Sequence, residues 1–334
     1  PNRRRTALAN ATQEHGMPIP ESRQLDFDDI PVIDLAALRA GEPPARTIEA
    51  IDRACTDVGF FYLVGHGFDM ALCERLQAAA ATFFAQAQSV KLEIGLDASM
   101  RGYLPLYYHS QITEDFAGTS HQEGFWIGAD FGNDCRPPLE APNRWPAQPL
   151  ELRRCMEAYL ADIEALAARL GQCFATALGQ ADDFYATRFA RPTSRLKLNH
   201  YPPQHNPERI DNIGVVPHTD SGAFTILWQD ANGGLEVRSK SGEWVGAPPL
   251  EGSFVVNIGD ILQYWSNGRY SSTQHRVINR HGADRYSIPY FVNPGADTEV
   301  RALDGRNSCA AFNYGDYQQE KWRSFFPVDE SRQD

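Results

Sequence analysis

The sequence predicts a mainly β protein of the α+β class, with helices and a lid in the first half and a closed barrel or jelly roll in the second. Two observations carry this. Apolar residues recur at helical spacing over about 46–57, 69–92 and 150–178, whereas from Ser194 onward the pattern switches to period two. The strand-like runs of the second half, near 195–200, 213–217, 223–229, 234–237, 253–258, 273–279 and 285–292, are short and regular. Asn232-Gly233, Ser241-Gly242 and Asn267-Gly268 supply turns between them. Short strands at such spacing suit a barrel or a two-layer roll.

In chain order, residues 1–29 are polar and broken by Pro18 and Pro20, and read as an arm over the surface. Ile30-Pro31-Val32-Ile33-Asp34-Leu35 is strand-like, and Val58 to Val64, rich in aromatic and β-branched residues, reads as a buried strand. Leu72, Leu76, Ala79, Ala80 and Phe83 mark one helix face between Asp69 and Leu92. The stretch 97–149, full of Pro, Gly and aromatic residues, reads as irregular lid or pocket wall. Leu152, Met156, Tyr159, Leu160, Ile163, Leu166 and Leu170 form the apolar stripe of a long helix that packs on a sheet and ends at Gly179. The expected organisation is an arm over 1–29 and one domain over 30–334. That domain comprises a helical and irregular part to 193, the β core over 194–293 and a C-terminal segment over 294–334.

Composition narrows the function. The 334 residues hold 31 Lys+Arg against 43 Asp+Glu, a net charge of −12, which argues against a basic surface for nucleic acid. Arg3-Arg4-Arg5 is too short to reverse that and reads as a solvated terminus. No apolar run is long enough to span a bilayer, and residues 1–25 lack a signal-peptide core. Six scattered cysteines form no CxxC pair, as expected of reduced thiols in a cytoplasmic protein.

The chemistry concentrates in same-face pairs on predicted strands. His218 and Asp220, separated by Thr219, share a strand face, and His275 lies in a later strand-like segment. Two imidazoles and a carboxylate make a facial triad suited to non-haem Fe(II), leaving positions open for O2 and an oxidisable co-substrate. Arg285 and Ser287 form a second pair, a guanidinium fork and a hydroxyl able to hold a carboxylate. Asn199 and Tyr201 form a third. Each pair alone also reads as ordinary strand chemistry; their order on successive strands is what joins them into one site.

These residues, with Gly59-Phe60-Phe61-Tyr62-Leu63-Val64-Gly65-His66-Gly67, Arg101-Gly102-Tyr103, Glu123-Gly124-Phe125, Asn199-His200-Tyr201-Pro202-Pro203, Gly259-Asp260-Ile261-Leu262-Gln263, Trp265-Ser266-Asn267-Gly268-Arg269-Tyr270, His275-Arg276-Val277 and Arg285-Tyr286-Ser287, resemble the isopenicillin N synthase-like iron(II)- and 2-oxoglutarate-dependent dioxygenases over roughly 30–330. One departure is Gly65, where that family usually has Asn; His66 beside it reads as a turn histidine. The resemblance implies a distorted double-stranded β-helix, a cupin-like jelly roll, with iron at one mouth. It implies His218, Asp220 and His275 as iron ligands, and Arg285 and Ser287 as contacts to the far carboxylate of 2-oxoglutarate, assisted by Tyr201 and Asn199. The implied reaction consumes O2 and 2-oxoglutarate, gives succinate and CO2, and oxidises a C–H bond of a small organic substrate by hydroxylation, desaturation or ring closure. A monomer is implied as well.

Isopenicillin N synthase itself uses no 2-oxoglutarate, and Arg285, Ser287 and Tyr201 suit that oxidase equally. A silent ligand-binding barrel is opposed by the complete triad, and a zinc hydrolase by the lack of a general-base motif. The substrate is expected to be an amino-acid derivative, short peptide or secondary metabolite. Tyr103, Tyr107, Tyr108, Phe125, Trp126, Gln263, Trp265 and Phe291 are candidate pocket residues, with Arg101 and His121 as candidate anchors for an anionic group.

Overall fold

The structure, a computed structural model, describes residues 30–36, 45–106, 110–112, 117–203, 212–280, 282–306 and 310–325. The predicted arm over 1–29, Tyr107 and Tyr108 lie outside them. The first half supplies β1 (Val32–Asp34), α1 (Ala45–Asp57), β2 (Phe60–Val64), α2 (Met70–Phe84) and α3 (Gln88–Leu92). After these come β3 (Gly102–Leu104), β4 (Ser110–Ile112), β5 (Ala117–Ser120), β6 (Glu123–Gly128), α4 (Leu150–Ala177) and α5 (Phe184–Arg188). The core follows with β7 (Arg195–Tyr201), β8 (Asn212–Ile213), β9 (Val215–His218), β10 (Phe224–Gln229), β11 (Leu235–Arg238), β12 (Trp244–Gly246) and β13 (Phe254–Ile258). It continues through α6 (Asp260–Trp265), β14 (His275–Val277) and β15 (Arg285–Val292) to β16 (Glu299–Val300), β17 (Phe312–Asn313) and α7 (Tyr314–Phe325).

An eight-stranded sheet, ordered β1-β2-β13-β10-β15-β7-β6-β3, faces a four-stranded sheet ordered β12-β11-β14-β9. Apart from the parallel β1–β2 pair, the neighbours in both sheets are antiparallel. The arrangement is a jelly roll of two open layers, so the closed-barrel alternative does not hold. The stretch 97–149 also departs from expectation, because β6 and β3 extend the large sheet beyond β7. Their glycines and the short length of β3 hide the period-two pattern.

Strand alternation gives the large sheet two buried faces. Outward, Phe61, Leu63, Phe224, Ile226, Val256, Ile258, Leu196, Leu198, Ile288 and Tyr290 join the α4 stripe in one apolar core. Inward, Phe60, Tyr62, Val255 and Tyr201 meet Leu235, Val237 and Val277 of the smaller sheet. The rest of the inner face mixes polar residues with Leu227, Pro289, Phe291 and Trp126, and the candidate site lies between it and the smaller sheet.

The helix predicted over 69–92 starts as expected, with Asp69 accepting a bond from the Ala71 amide. It then breaks at Ala85–Ala87 into α2 and α3. The break lets Lys91 turn back, donating 2.8 Å to the Phe84 carbonyl at the end of α2 and 2.6 Å to Glu123 Oε2 on β6. Tyr103 donates to the same carboxylate, and His200 Nδ1 lies 2.8 Å from its other oxygen. Burial alone would raise the Glu123 pKa; the bonds from His200, Lys91 and Tyr103 outweigh that and hold the carboxyl below its ordinary range. His200 and Glu123, both prominent in the sequence motifs, are thus a buried tie between helix and sheet.

The depressed Glu123 pKa means its stabilisation is complete above the unfolded-state value and is lost as pH falls through the folded one. Lys91→Met is expected to cost about 3–5 kcal/mol in urea unfolding at pH 7, since it strands a buried charge. It should also flatten the loss of stability between about pH 5 and 3. An unchanged midpoint and slope would show the tie to be energetically idle.

Candidate metal centre and carboxylate pocket

His218 closes β9 and His275 opens β14, directly opposite in the ladder between them. Their ring centroids are 4.2 Å apart. Asp220 sits two residues beyond β9, so the predicted shared strand face is not what aligns it. The loop after β9 is held by α6, whose first amides donate to the Asp220 carbonyl at 2.8 Å and the Gly222 carbonyl at 3.0 Å. Free N–H groups at a helix start thereby find acceptors. This gives the segment Gly259-Asp260-Ile261 a role its sequence did not disclose.

The three side chains point at one spot. His218 Nε2 and His275 Nε2 each lie 3.7 Å from Asp220 Oδ1, and the potential ligand atoms all fall within 4.8 Å of one another. His218 Nδ1 donates to the Val216 carbonyl at 2.8 Å and His275 Nδ1 to the Thr273 carbonyl at 3.2 Å, which leaves both Nε2 lone pairs facing inward. Asp220 Oδ2 accepts from Thr225 at 2.6 Å and from Asn257 at 2.7 Å, turning Oδ1 toward the imidazoles. Thr225 and Asn257 stand opposite each other on β10 and β13.

Burial, then the neighbouring His275, pushes the His218 pKa down to about 4, so this imidazole is neutral at pH 7. Burial opposes ionisation of Asp220, but the two imidazoles and the bonds from Asn257 and Thr225 hold its carboxyl below the ordinary range. Neutral imidazole and ionised carboxylate are the forms that bind metal. Two N donors and one O donor gathered on one side fit Fe(II) with open positions.

Beside the triad, Arg285 and Ser287 of β15 stand opposite Tyr201 and Asn199 of β7. Asn199 donates to Ser287 Oγ at 3.2 Å, and the Tyr201 hydroxyl is 3.5 Å from the same oxygen. Arg285 is completely buried, its guanidinium 4.6 Å from the Tyr201 ring centre. Its Nε donates to the Gly233 carbonyl and Nη2 to Gln229 at 3.2 Å. Among the described residues it forms no ion pair, and Arg285 Nη1 and Asn199 Oδ1 have no hydrogen-bond partner. A buried guanidinium with a spare N–H fits a ligand carboxylate.

Two family models match the chain: the 2OG-Fe(II) oxygenase superfamily over residues 192–294, and the non-haem dioxygenase in morphine synthesis N-terminal region over 30–148. Homoarginine-6-hydroxylase 2-ODD-C23 of Glycine max is 34% identical over 307 residues, covering 86% of this chain and 92% of the relative. The chain belongs to the 2OG-Fe(II) oxygenase superfamily. The 2-oxoglutarate-dependent dioxygenase citB of Monascus ruber is 36% identical over 278 residues, 78% of this chain and 82% of that protein. A full-length Neurospora crassa protein, solved in complex with alpha-KG, superposes with a TM-score of 0.79 at 27% identity, covering 88% of this chain and 96% of that one. JOX2, solved with 2OG, Fe and JA, gives a TM-score of 0.73 at 26% identity, covering 96% of this chain and 92% of its own. The protein is therefore an Fe(II)- and 2-oxoglutarate-dependent dioxygenase, and the oxidase reading without 2-oxoglutarate is not favoured.

Several candidate pocket residues in this oxygenase are instead packing. Tyr103 and Phe125 lie on the outward face near Phe83, and Trp265 packs against Phe184 and Phe189. Gln263 accepts from the Ser272 amide at 2.7 Å. Arg101 spends its donors on Asn143 and on the Ser99, Leu139 and Ala129 carbonyls, stitching the 97–143 region together. His121 is buried, its amide on the Ile213 carbonyl. His66 is a turn histidine, accepting from the Phe68 amide and donating to the Gly252 carbonyl. Gly65 has φ 63°, and a Cβ there would collide with Asp34 Oδ1 and sit 2.9 Å from the Ala36 nitrogen, so this chain's close packing of β1 on the turn requires glycine where the family usually has Asn. Trp126 and Phe291 do face inward, stacked at 5.6 Å. Thr225, Asn257 and Gln229 carry no motif and read in the sequence as ordinary strand residues; their positions at the site emerge only with the sheet order.

Asn257→Leu removes a partner of Asp220 without touching the triad. It is expected to weaken Fe(II) binding about 10- to 100-fold in anaerobic equilibrium dialysis. Undiminished affinity would mean the carboxylate needs no such support.

Proposed function

We propose that His218, Asp220 and His275 hold the Fe(II), and that Arg285, with Ser287, Tyr201 and Asn199, holds the far carboxylate of 2-oxoglutarate. The observation that carries this is Arg285, wholly buried and with Nη1 unpartnered among the described residues, on the inner face of the large sheet, while the triad stands at the β9–β14 edge of the smaller sheet. When bound, Fe(II) supplies the redox chemistry that couples decarboxylation of 2-oxoglutarate to succinate and CO2 with oxidation of a substrate C–H bond by O2. The chain's own contribution is positional. Nδ1–H bonds aim the two imidazoles, Thr225 and Asn257 aim Asp220, and the β7–β15 register sets the co-substrate's far end at a constant distance from the triad.

The substrate is a small organic molecule, with an amino-acid derivative favoured by the homoarginine hydroxylase relative and hydroxylation as the outcome. Residues 30–334 act as one oxygenase domain, a reading supported by an apolar core that runs from Ile33 through α4 to Tyr314. We place the protein in the cytoplasm as a monomer. The five cysteines among the described residues are all free thiols, which supports a reducing compartment. No helix of the described residues is long and apolar enough to cross a membrane.

His218→Ala and Asp220→Ala are each expected to abolish iron-dependent succinate formation. Full activity in either would remove that residue from the centre. Arg285→Met is expected to raise the 2-oxoglutarate KM roughly thirtyfold or more, the loss typical of a buried charge pair, while Fe(II) binding persists. An unchanged KM would assign Arg285 another ligand.

A further inference from the structure

The inner face of β7 carries more polar groups than the co-substrate needs. Lys197 precedes Asn199 and Tyr201 by the strand period, so it shares their face, and it stands opposite Trp126 of β6. It is 6% exposed. Its one hydrogen bond among the described residues is a long one, 3.4 Å to Gln122 Oε1, and its ammonium lies 4.8 Å from the Trp126 ring centre. No described carboxylate comes within ion-pair distance of it, although its charge is felt at His218 and Asp220. Room for its stem is made by Gly124, where a Cβ would sit 2.7 Å from Lys197 Cε.

A buried ammonium without a counter-ion is costly, and desolvation lowers the Lys197 pKa to about 7. It is not the only such cation on this side of the sheet. Arg195, two residues before it on the same face, and Arg101 are each 1% exposed and pair with no described carboxylate. Both guanidinium groups close on the same spot, 2.8 and 3.0 Å from the position a Gly128 Cβ would take. Arg101 and Arg195 donate mainly to backbone carbonyls, so they contribute field, while Lys197 retains donors to give. Asp97 and Glu140 act on the two guanidinium groups and Asp220 on Lys197 only from beyond ion-pair distance, so among the described residues none of the three buried cations is directly paired, and Lys197 is the one with donors left for an acidic visitor.

We propose that Lys197 anchors the substrate, and that the substrate class is small organic acids whose carboxylate meets this ammonium between Trp126 and the triad. This rests on the iron and 2-oxoglutarate reading above. Arg285 then takes the co-substrate's carboxylate and Lys197 the substrate's. The Trp126–Phe291 stack gives the substrate's apolar part a wall, and the C–H bond nearest the triad is the one presented for oxidation.

The test is calorimetric titration of the anaerobic Fe(II) enzyme saturated with 2-oxoglutarate. The probes are acetate, phenylacetate and indole-3-acetate, each against its primary amide. Wild type is expected to bind at least one acid about tenfold or more tighter than its amide, the worth of a hydrogen bond to a charged group. Lys197→Met, an apolar replacement of similar length, is expected to erase that difference and leave 2-oxoglutarate binding unchanged. Equal binding of acids and amides by wild type, no binding of any acid, or an intact preference in Lys197→Met would each overturn the proposal. So would a Lys197→Met protein that loses 2-oxoglutarate instead, because Lys197 would then belong to the co-substrate. Failure of wild type to bind 2-oxoglutarate would be seen before any acid is added, and would overturn the underlying reading as well.

Discussion

The space between the two sheets removes Asp220, Arg285, Asn199 and Lys197 from water, and each must then find a partner in the chain or in a ligand. Asp220 finds two in the chain, Thr225 and Asn257, and both engage the oxygen turned away from the imidazoles. Arg285 is only partly provided for, by the Gly233 carbonyl and Gln229, and keeps one N–H in reserve. Lys197 has least, a single long bond to an amide. On the proposed assignment, the gradient from satisfied to unsatisfied runs from Asp220 as metal ligand to Arg285 and Lys197 as the groups that meet exchangeable molecules. A protein that discards co-product and product each cycle needs that order, because a fully satisfied cation would have no affinity left for them.

The scaffold makes such an interior tolerable by separating it from the stabilising core. Outward residues of the same strands bury aliphatic and aromatic side chains against α4, so the larger apolar core lies away from the site, and the inner face contributes a smaller cluster around Phe60, Tyr62 and Val237. The same separation explains why charged groups occur on both faces with opposite logic. Glu123, Lys91 and His200 on the outer side are mutually satisfied and join α3 to the sheet. Among the described residues, the inner cations Arg285 and Lys197 form no ion pair with an acid.

The parts of this site that can be read in the sequence are those set by strand period alone. Asn199 with Tyr201 and Arg285 with Ser287 share faces because β7 and β15 are regular across them. The same period extends to Lys197, one step further along β7, which stays silent in the sequence because a lone lysine in a strand has no partner motif. Asp220 is legible as a neighbour of His218, but for an incomplete reason: β9 ends at His218, and the amides of α6 put the loop in place. That contact joins residues far apart in the chain and has no local pattern. Thr225 and Asn257 are likewise adjacent only through the β10–β13 register. Glycine-rich β6 and three-residue β3 show too little alternation to distinguish strand from loop. The break between α2 and α3 has no Pro or Gly to mark it; it is fixed by the long-range hold of Lys91 on Glu123.

The central claim is that the space between the two sheets holds iron and 2-oxoglutarate together. Anaerobic addition of 2-oxoglutarate to the Fe(II)-loaded enzyme, followed in the visible for a metal-to-ligand charge-transfer band, tests it most directly. A saturable band of stoichiometric amplitude is the expected result. Iron bound with no band at any 2-oxoglutarate concentration would contradict it.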